Sequence, residues 1–118
     1  MDPKEMALMV ADYLDSKKGE NILVLDVAHL TSIADYFVIA SARNSIQART
    51  MAEDLEDHMA EKGILPSRKE GAKETRWIVV DYGTVLVHIF HEQEREYYNL
   101  ERLWADGTNL VKSLGGSN

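Results

Sequence analysis

The chain has 118 residues and a formal net charge of −7, from 13 Lys and Arg against 20 Asp and Glu. Hydrophobic residues make up 45% and charged residues 28%, a composition typical of one globular domain rather than a disordered or fibrous chain. The absence of cysteine excludes disulfides, thiolate metal sites and a cysteine nucleophile. The acidic balance disfavours bare nucleic acid as a partner, because Lys and Arg supply most of the attraction to phosphate. With neither a membrane-length apolar run nor a secretory signal apparent, we expect a cytoplasmic protein without membrane contact.

The N-terminal segment predicts a helix followed by two buried strands. Asp2 is suited to cap the helix, with Pro3 at its first position and Glu5 completing a capping box. Two short apolar runs follow, at residues 21–26 and 36–40, and each is typical of a strand that is buried on both faces.

A second helix is predicted to begin at Asn44, with Gln47 three residues later, and to end at Gly63. Its buried side is expected to comprise five residues at helical spacing: Ala48, Met51, Ala52, Leu55 and Met59. Residues 64–70 predict a short edge strand, because a proline within the segment disfavours a central position. The polar residues 68–76 are expected to form a mobile connection.

The clearest local pattern is a hairpin formed by residues 76–81 and 84–90 around Tyr82 and Gly83. A two-residue turn predicts three cross-strand pairs on one face, Asp81 with Thr84, Val79 with Leu86 and Trp77 with His88. The other face is then almost entirely β-branched, so we expect helices to cover it.

The last part of the chain predicts helical structure, from Glu92 to Tyr97 and again after Asn99. Arg95 and Glu101 are expected to form a helix-surface or intramolecular ion pair. Four large side chains there are expected to pack in the core, Tyr98, Leu100, Leu103 and Trp104. Helices that alternate with strands and then a hairpin predict an α/β fold, a mixed sheet with packed helices. We expect a single domain over residues 1–114 and a flexible tail over residues 115–118.

The tryptophan face of the hairpin is the candidate functional surface. It combines apolar, aromatic and polar groups, namely Trp77, Val79, Asp81, Leu86, His88 and Phe90. Dry cores rarely hold such a mixture without hydrogen-bond partners. Two interpretations remain open: the last helix covers this face, or the face is exposed and binds a partner with Trp77 as anchor.

The sequence contains no recognisable catalytic or metal-binding motif. The four histidines match no zinc signature, and the seven glycines form neither a dinucleotide nor a phosphate-binding loop. Carboxylates spaced to hold Mg²⁺ fall in predicted helices, where side chains two residues apart diverge. Asp35 and Asp81 are expected to accept backbone N–H groups in turns. We therefore expect no enzymatic activity, no metal and no cofactor, and interpret the histidines as surface or hydrogen-bonded residues.

Six segments together resemble the ribosomal silencing factor (RsfS) family, also called Iojap-like, between about residues 4 and 106. They are residues 31–40 (TSIADYFVIA), 44–47 (NSIQ), 70–71 (EG), 77–83 (WIVVDYG), 87–90 (VHIF) and 95–104 (REYYNLERLW). Their order and spacing make the resemblance specific, although each segment alone is weak.

The resemblance implies a nucleotidyltransferase-like fold without the catalytic carboxylates of that superfamily. It also implies binding to the large ribosomal subunit at its fourteenth protein, where the bound factor blocks joining of the small subunit and represses translation in starvation or stationary phase. On that basis we expect Trp77 to be the anchor, Asp81 and Glu70 to accept from Lys or Arg, and His88 to contribute a hydrogen bond. Sequence-specific nucleic-acid binding is not expected. Alternatives are a homodimeric adaptor, a factor in large-subunit assembly and, least favoured, an atypical nucleotidyltransferase.

Overall fold

The computed structural model describes residues 1–115, which form a six-stranded mixed sheet with helices on both faces. The elements in chain order are α1 (Pro3–Ser16), β1 (Glu20–Asp26), β2 (Tyr36–Ala42), α2 (Ser45–Glu61), β3 (Arg68–Glu70), β4 (Trp77–Asp81), β5 (Val85–His91), α3 (Glu92–Tyr98), α4 (Leu100–Trp104) and β6 (Leu110–Leu114). The strand order is β3-β4-β5-β2-β1-β6, in which β2 and β5 run parallel and the other neighbours antiparallel. The α/β class with a mixed sheet is thus confirmed, whereas the nucleotidyltransferase-like detail stays a prediction.

The two long helices begin as predicted, and α2 also ends just before Gly63 as predicted. The Asp2 carboxylate accepts a hydrogen bond from the Glu5 N–H at 3.2 Å, and the Asn44 side chain accepts from the Gln47 N–H at 2.8 Å. Such caps satisfy backbone donors that a helix leaves free at its first turn. The buried residues of α2 are the five predicted ones, and Gly63 follows the helix at a φ of +78°.

Both long helices pack on one face of the sheet, which we call the back face. There the β-branched side of the hairpin is completely buried, as predicted: Ile78, Val80, Val85, Val87 and Ile89. The same cluster contains the buried sides of α1 and α2. The back face therefore provides the main core.

The predicted register of the hairpin is wrong by two residues. Asp81 lies opposite Leu86 rather than Thr84, and Trp77 lies opposite Phe90. The reason is Tyr82, which is only 8% exposed and packs in the back-face core instead of standing at the tip of a two-residue turn. Because the shift is an even number, each side chain keeps its predicted face.

The segment between α2 and β4 is more regular than expected. β3 is the edge strand next to β4, and Pro66 lies just before it, outside the ladder. The predicted mobile connection over 68–76 is therefore wrong for its first three residues. After them the chain makes a compact turn in which the Thr75 N–H donates to the Gly71 carbonyl at 2.9 Å.

The strand β6 had no counterpart among the predicted elements. It pairs antiparallel with β1 at the other edge of the sheet. Gly115, the first residue of the expected tail, accepts a hydrogen bond from the Asn21 N–H at 3.0 Å. The rest of that tail, residues 116–118, lies outside the described residues.

Candidate docking surface

The front face of the sheet is divided into a covered part and an open part. Its covered part lies over β1, β2 and β5, where α3 and α4 close a second core of Leu25, Val27, Ala34, Phe37, Ile39, Phe90 and Leu100. Trp77, Leu86 and Trp104 are partly buried at the margin of this core. Each of the two interpretations of this face therefore describes one part of it.

The open part lies over β3, β4 and the first half of β5, and we call it the ribbon face. It comprises Glu70, which is exposed, and four half-buried residues, Trp77, Val79, Asp81 and Leu86. The strand register places all five on one side of the sheet. This is an apolar strip about one hairpin wide with carboxylates at its rim.

Two of the predicted contact residues lie beneath this surface. Phe90 is fully buried and His88 is 4% exposed. In this conformation a partner cannot touch these two side chains directly, because Trp77 and the α3–α4 segment cover them. Their position instead makes them the support of the surface.

The indole of Trp77 is held by three neighbours. It stacks on Phe90 with ring centroids 4.8 Å apart, and its centroid lies 5.0 Å from that of Tyr98. Its Nε1 donates a hydrogen bond to Nδ1 of His88 at 3.1 Å. An aromatic side chain fixed in this way loses little conformational entropy when a partner covers it, which is a property of binding hot spots.

The imidazole of His88 is neutral. Burial lowers the pKa of His88 to about 4 because it disfavours the charged form. Nδ1 accepts the Trp77 hydrogen bond, so the ring proton is on Nε2, which has no hydrogen-bond partner within residues 1–115. The residue is thus an acceptor for the anchor rather than a group that titrates near neutral pH.

The rim of the ribbon face carries both signs of charge. The Asp81 carboxylate accepts from the Gly83 N–H at 2.7 Å, which confirms its predicted role in the turn. Glu70 forms an exposed ion pair with Arg68 at 3.6 Å, and Arg68 lies directly opposite Asp81 in the ladder. The sequence does not single out this arginine, because it does not show that residue 68 lies opposite Asp81 in the ladder.

Tyr98 is a further surface residue that the sequence did not reveal. It was expected in the core, but it is 46% exposed and lies over Trp77. Leu103, also predicted as core, is 76% exposed, whereas Leu100 is 8% exposed and Trp104 is partly buried. The two helices are too short for periodicity to identify their buried side.

The histidines outside the ribbon face were interpreted as surface or hydrogen-bonded residues. The histidines have structural partners: His29 contacts Asp106 at 2.9 Å, His58 stacks on Tyr13, and His91 accepts from a backbone N–H at the start of α3. No three His, Cys, Asp or Glu side chains of residues 1–115 lie close enough to hold a metal ion.

Asp35 contributes to its turn through backbone atoms: its carbonyl accepts from the Val27 N–H at 2.8 Å, and its own N–H donates to the Thr84 carbonyl at 2.8 Å. Among residues 1–115, no helix has the length and apolar character needed to cross a membrane.

Comparison with known proteins identifies the family. Residues 1–115 match the family described as "Ribosomal silencing factor during starvation". A protein of Bacillus subtilis named ribosomal silencing factor RsfS is 42% identical over 106 residues, which cover 90% of each chain. The chloroplastic protein Iojap of Zea mays is 30% identical over 104 residues, covering 88% of this chain and 45% of that protein.

Solved structures agree with this match. A crystal structure from Bacillus halodurans is similar with a TM-score of 0.80 and 34% identity, covering 92% of this chain and 98% of the other. One from Chromobacterium violaceum gives a TM-score of 0.86 at 27% identity, covering 95% and 94%. The α/β fold of this chain is thus also the fold of these solved structures. The chain belongs to the ribosomal silencing factor family.

Proposed function

We propose that this protein is a ribosomal silencing factor that acts by binding rather than by catalysis. The family match over residues 1–115 supports this assignment, as do relatives that carry this name. The observation on which the proposal rests most directly is the half-buried, hydrogen-bonded Trp77 at the centre of the ribbon face.

The partner that we propose is the large ribosomal subunit, bound in the cytoplasm through its fourteenth protein. Most ribosomal proteins are basic, and this chain has a net charge of −7. Opposite charges speed the encounter of two proteins more than they tighten the final complex. The apolar strip of Trp77, Val79 and Leu86 then supplies affinity, while Asp81 and Glu70 accept hydrogen bonds from Lys or Arg at the rim.

Silencing follows from the volume of the bound protein. The body measures 34 × 34 × 23 Å, and a body of that size on the joining face of the large subunit excludes the small subunit without any chemical step. The back face, covered by α1 and α2, then points away from the docking site, because it lies on the other side of the sheet. Repression of translation under starvation is the proposed consequence.

Sedimentation with isolated subunits tests this proposal. We expect the protein to pellet with large subunits and not with small ones, and to reduce the yield of full ribosomes when small subunits are added afterwards. Equal pelleting with both subunits, or with neither, would contradict the proposal. The control is to add the protein after the two subunits have joined. It should then leave the yield of full ribosomes unchanged, because a steric block acts only before joining.

A second candidate is a homodimeric adaptor. The ribbon face is apolar. In a twofold dimer, the same surface patch of each copy usually pairs with itself. Sedimentation velocity over a range of concentrations detects it. If Trp77→Ala abolishes both dimerisation and subunit binding, the same face serves both partners in turn.

A further inference from the structure

Arg95 is the one formally charged side chain that is buried among residues 1–115, with 6% of its surface exposed. Its Nε donates to a Glu101 carboxylate oxygen at 3.2 Å, and its Nη1 donates to the Ser41 hydroxyl at 2.9 Å. Nη1 also donates to the carbonyl of Asn21. One guanidinium on α3 therefore connects that helix to α4, β1 and β2.

The predicted ion pair of Arg95 with Glu101 is confirmed, and the guanidinium is buried rather than exposed at a helix surface. Burial lowers the pKa of the Arg95 guanidinium, and the nearby Glu101 opposes this effect. Removing one partner of a buried, hydrogen-bonded charge leaves unsatisfied groups, which is much more costly than breaking an exposed ion pair. The arrangement is therefore sensitive to substitution.

The two helices that Arg95 connects have little stability of their own. α3 has seven residues and α4 has five, and they are joined by Asn99 in the left-handed region at a φ of +46°. Isolated helices shorter than about 12 residues are marginal in water, so their position depends on contacts with the sheet. Arg95 and Leu100 are their two buried side chains.

Tyr98 follows Arg95 by three residues on α3, so the two side chains lie on the same side of that helix. While Arg95 is anchored to the sheet, Tyr98 lies over Trp77 and Phe90, with ring centroids 5.0 Å and 6.3 Å apart. A rotation of α3 that releases the guanidinium also moves the tyrosine ring away from the indole.

We propose that Arg95 is a positioning residue for the ribbon face: it holds Tyr98 against Trp77 and so maintains the surface that docks on the ribosome. The inference rests on the proposed function for its binding consequence, but not for its structural one. The back-face core contains no residue of α3 or α4, so the main sheet does not depend on this clamp.

The structural consequence is measured by fluorescence, without any ribosome. Trp104→Phe leaves Trp77 as the one tryptophan of the chain. In that background, Arg95→Gln is expected to shift the Trp77 emission to longer wavelength and to make it more accessible to acrylamide, because Tyr98 no longer covers the indole. Arg43→Gln, at an exposed position, removes the same charge and should change neither. An unchanged emission in Arg95→Gln overturns the proposal.

The binding consequence is measured by a double-mutant cycle on large subunits. We expect Arg95→Gln and Tyr98→Ala each to weaken binding ~tenfold, and the double variant to bind no more weakly than the worse single one, because both changes remove the same ring from the surface. Fully additive losses would overturn the proposal that Arg95 acts on binding through Tyr98.

If Arg95→Gln fails to fold, Ser41→Ala removes one hydrogen bond of the Arg95 guanidinium and should produce smaller shifts of the Trp77 emission in the same direction. A shifted Trp77 emission in a protein that does not bind large subunits supports the positioning role and contradicts the proposed function instead.

Discussion

The hydrogen bond from Nε1 of Trp77 to Nδ1 of His88 links the most prominent side chain of the ribbon face to a buried, neutral imidazole. The two residues are not cross-strand partners, since Trp77 lies opposite Phe90 and His88 lies opposite Val79. The bond is therefore diagonal, across two positions of the ladder, and a long side chain such as tryptophan is needed to span it. Together with the contacts to Phe90 and Tyr98, it fixes the orientation of the indole.

The first prediction concerns the dependence of stability on pH. Burial lowers the pKa of His88 to about 4 in the folded state, whereas an unfolded histidine titrates near its ordinary value of 6.5. The unfolded chain therefore binds more protons between these values, and the free energy of unfolding rises with pH over that interval. We expect the full stability above about pH 6.5 and a loss of up to about 3 kcal/mol on acidification to pH 4.

Urea unfolding at a series of pH values measures this effect. His88→Gln keeps an acceptor for the Trp77 N–H but does not titrate, so its stability should vary less between pH 4 and 6.5. His58→Gln, on the back-face side of the molecule, is the matched control and should keep the wild-type slope. Equal slopes in all three proteins would show that His88 titrates normally.

The second prediction concerns the anchor itself. Trp77→Ala should weaken binding to large subunits by about 2 kcal/mol or more, as truncation of a central aromatic contact does. The domain should stay folded, since Trp77 lies at the margin of the smaller core. Tyr13→Ala is the control: it removes a half-buried aromatic ring of α1 that stacks on His58 of α2, and it should leave binding unchanged. Loss of folding without a selective binding defect would mean that Trp77 is a core residue.

The predictable part of the fold is the part governed by local chemistry. The caps at Asp2 and Asn44, the buried stripe of α2 and the two faces of the hairpin follow from side-chain spacing and from backbone donors that need acceptors. The hairpin register was missed because it depends on the burial of Tyr82, which is a tertiary contact. β6 was missed because Leu110–Leu114 is only partly buried and shows no strong alternation.

The same distinction explains the candidate surface. The two-residue period of a strand predicts that four side chains share one face, so this could be read from the sequence: Trp77, Val79, Asp81 and Leu86. How far α3 and α4 extend over that face is a matter of packing. The sequence therefore could not separate the buried Phe90 and His88 from the open positions, and it did not show that Tyr98 is exposed.

The third prediction concerns charge at the rim. Asp81→Asn retains an oxygen that accepts from the Gly83 N–H, so the turn should persist while the charge is lost. We expect the association rate with large subunits to fall a few-fold at low salt and the difference from wild type to shrink as salt is raised. Glu61→Gln, an exposed acid at the end of α2, is the matched control for net charge. If both variants slow association equally, overall charge matters and the position of Asp81 does not.

The fourth prediction concerns Gly71, which positions the start of β4. Its φ is +83°, and a Cβ at this residue would lie 2.0 Å from the carbonyl oxygen of Trp77. Backbone atoms of a paired strand do not move aside easily, so Gly71→Ala must displace the connection between β3 and β4. We expect a loss of about 3 kcal/mol in the free energy of unfolding, at the upper end for single substitutions.

Gly83 provides the comparison that isolates the steric effect. Its φ of +87° is similar, but no atom lies within 4 Å of the point that a Cβ would occupy there, so Gly83→Ala should cost about 1 kcal/mol for the backbone conformation alone. Because Gly71 contacts the backbone of Trp77, we further expect Gly71→Ala to weaken binding to large subunits, whereas Gly83→Ala should affect it much less. Equal losses of stability in the two variants would mean that the backbone near Trp77 moves away from the new Cβ without a cost in free energy. The ribbon face would then not depend on Gly71.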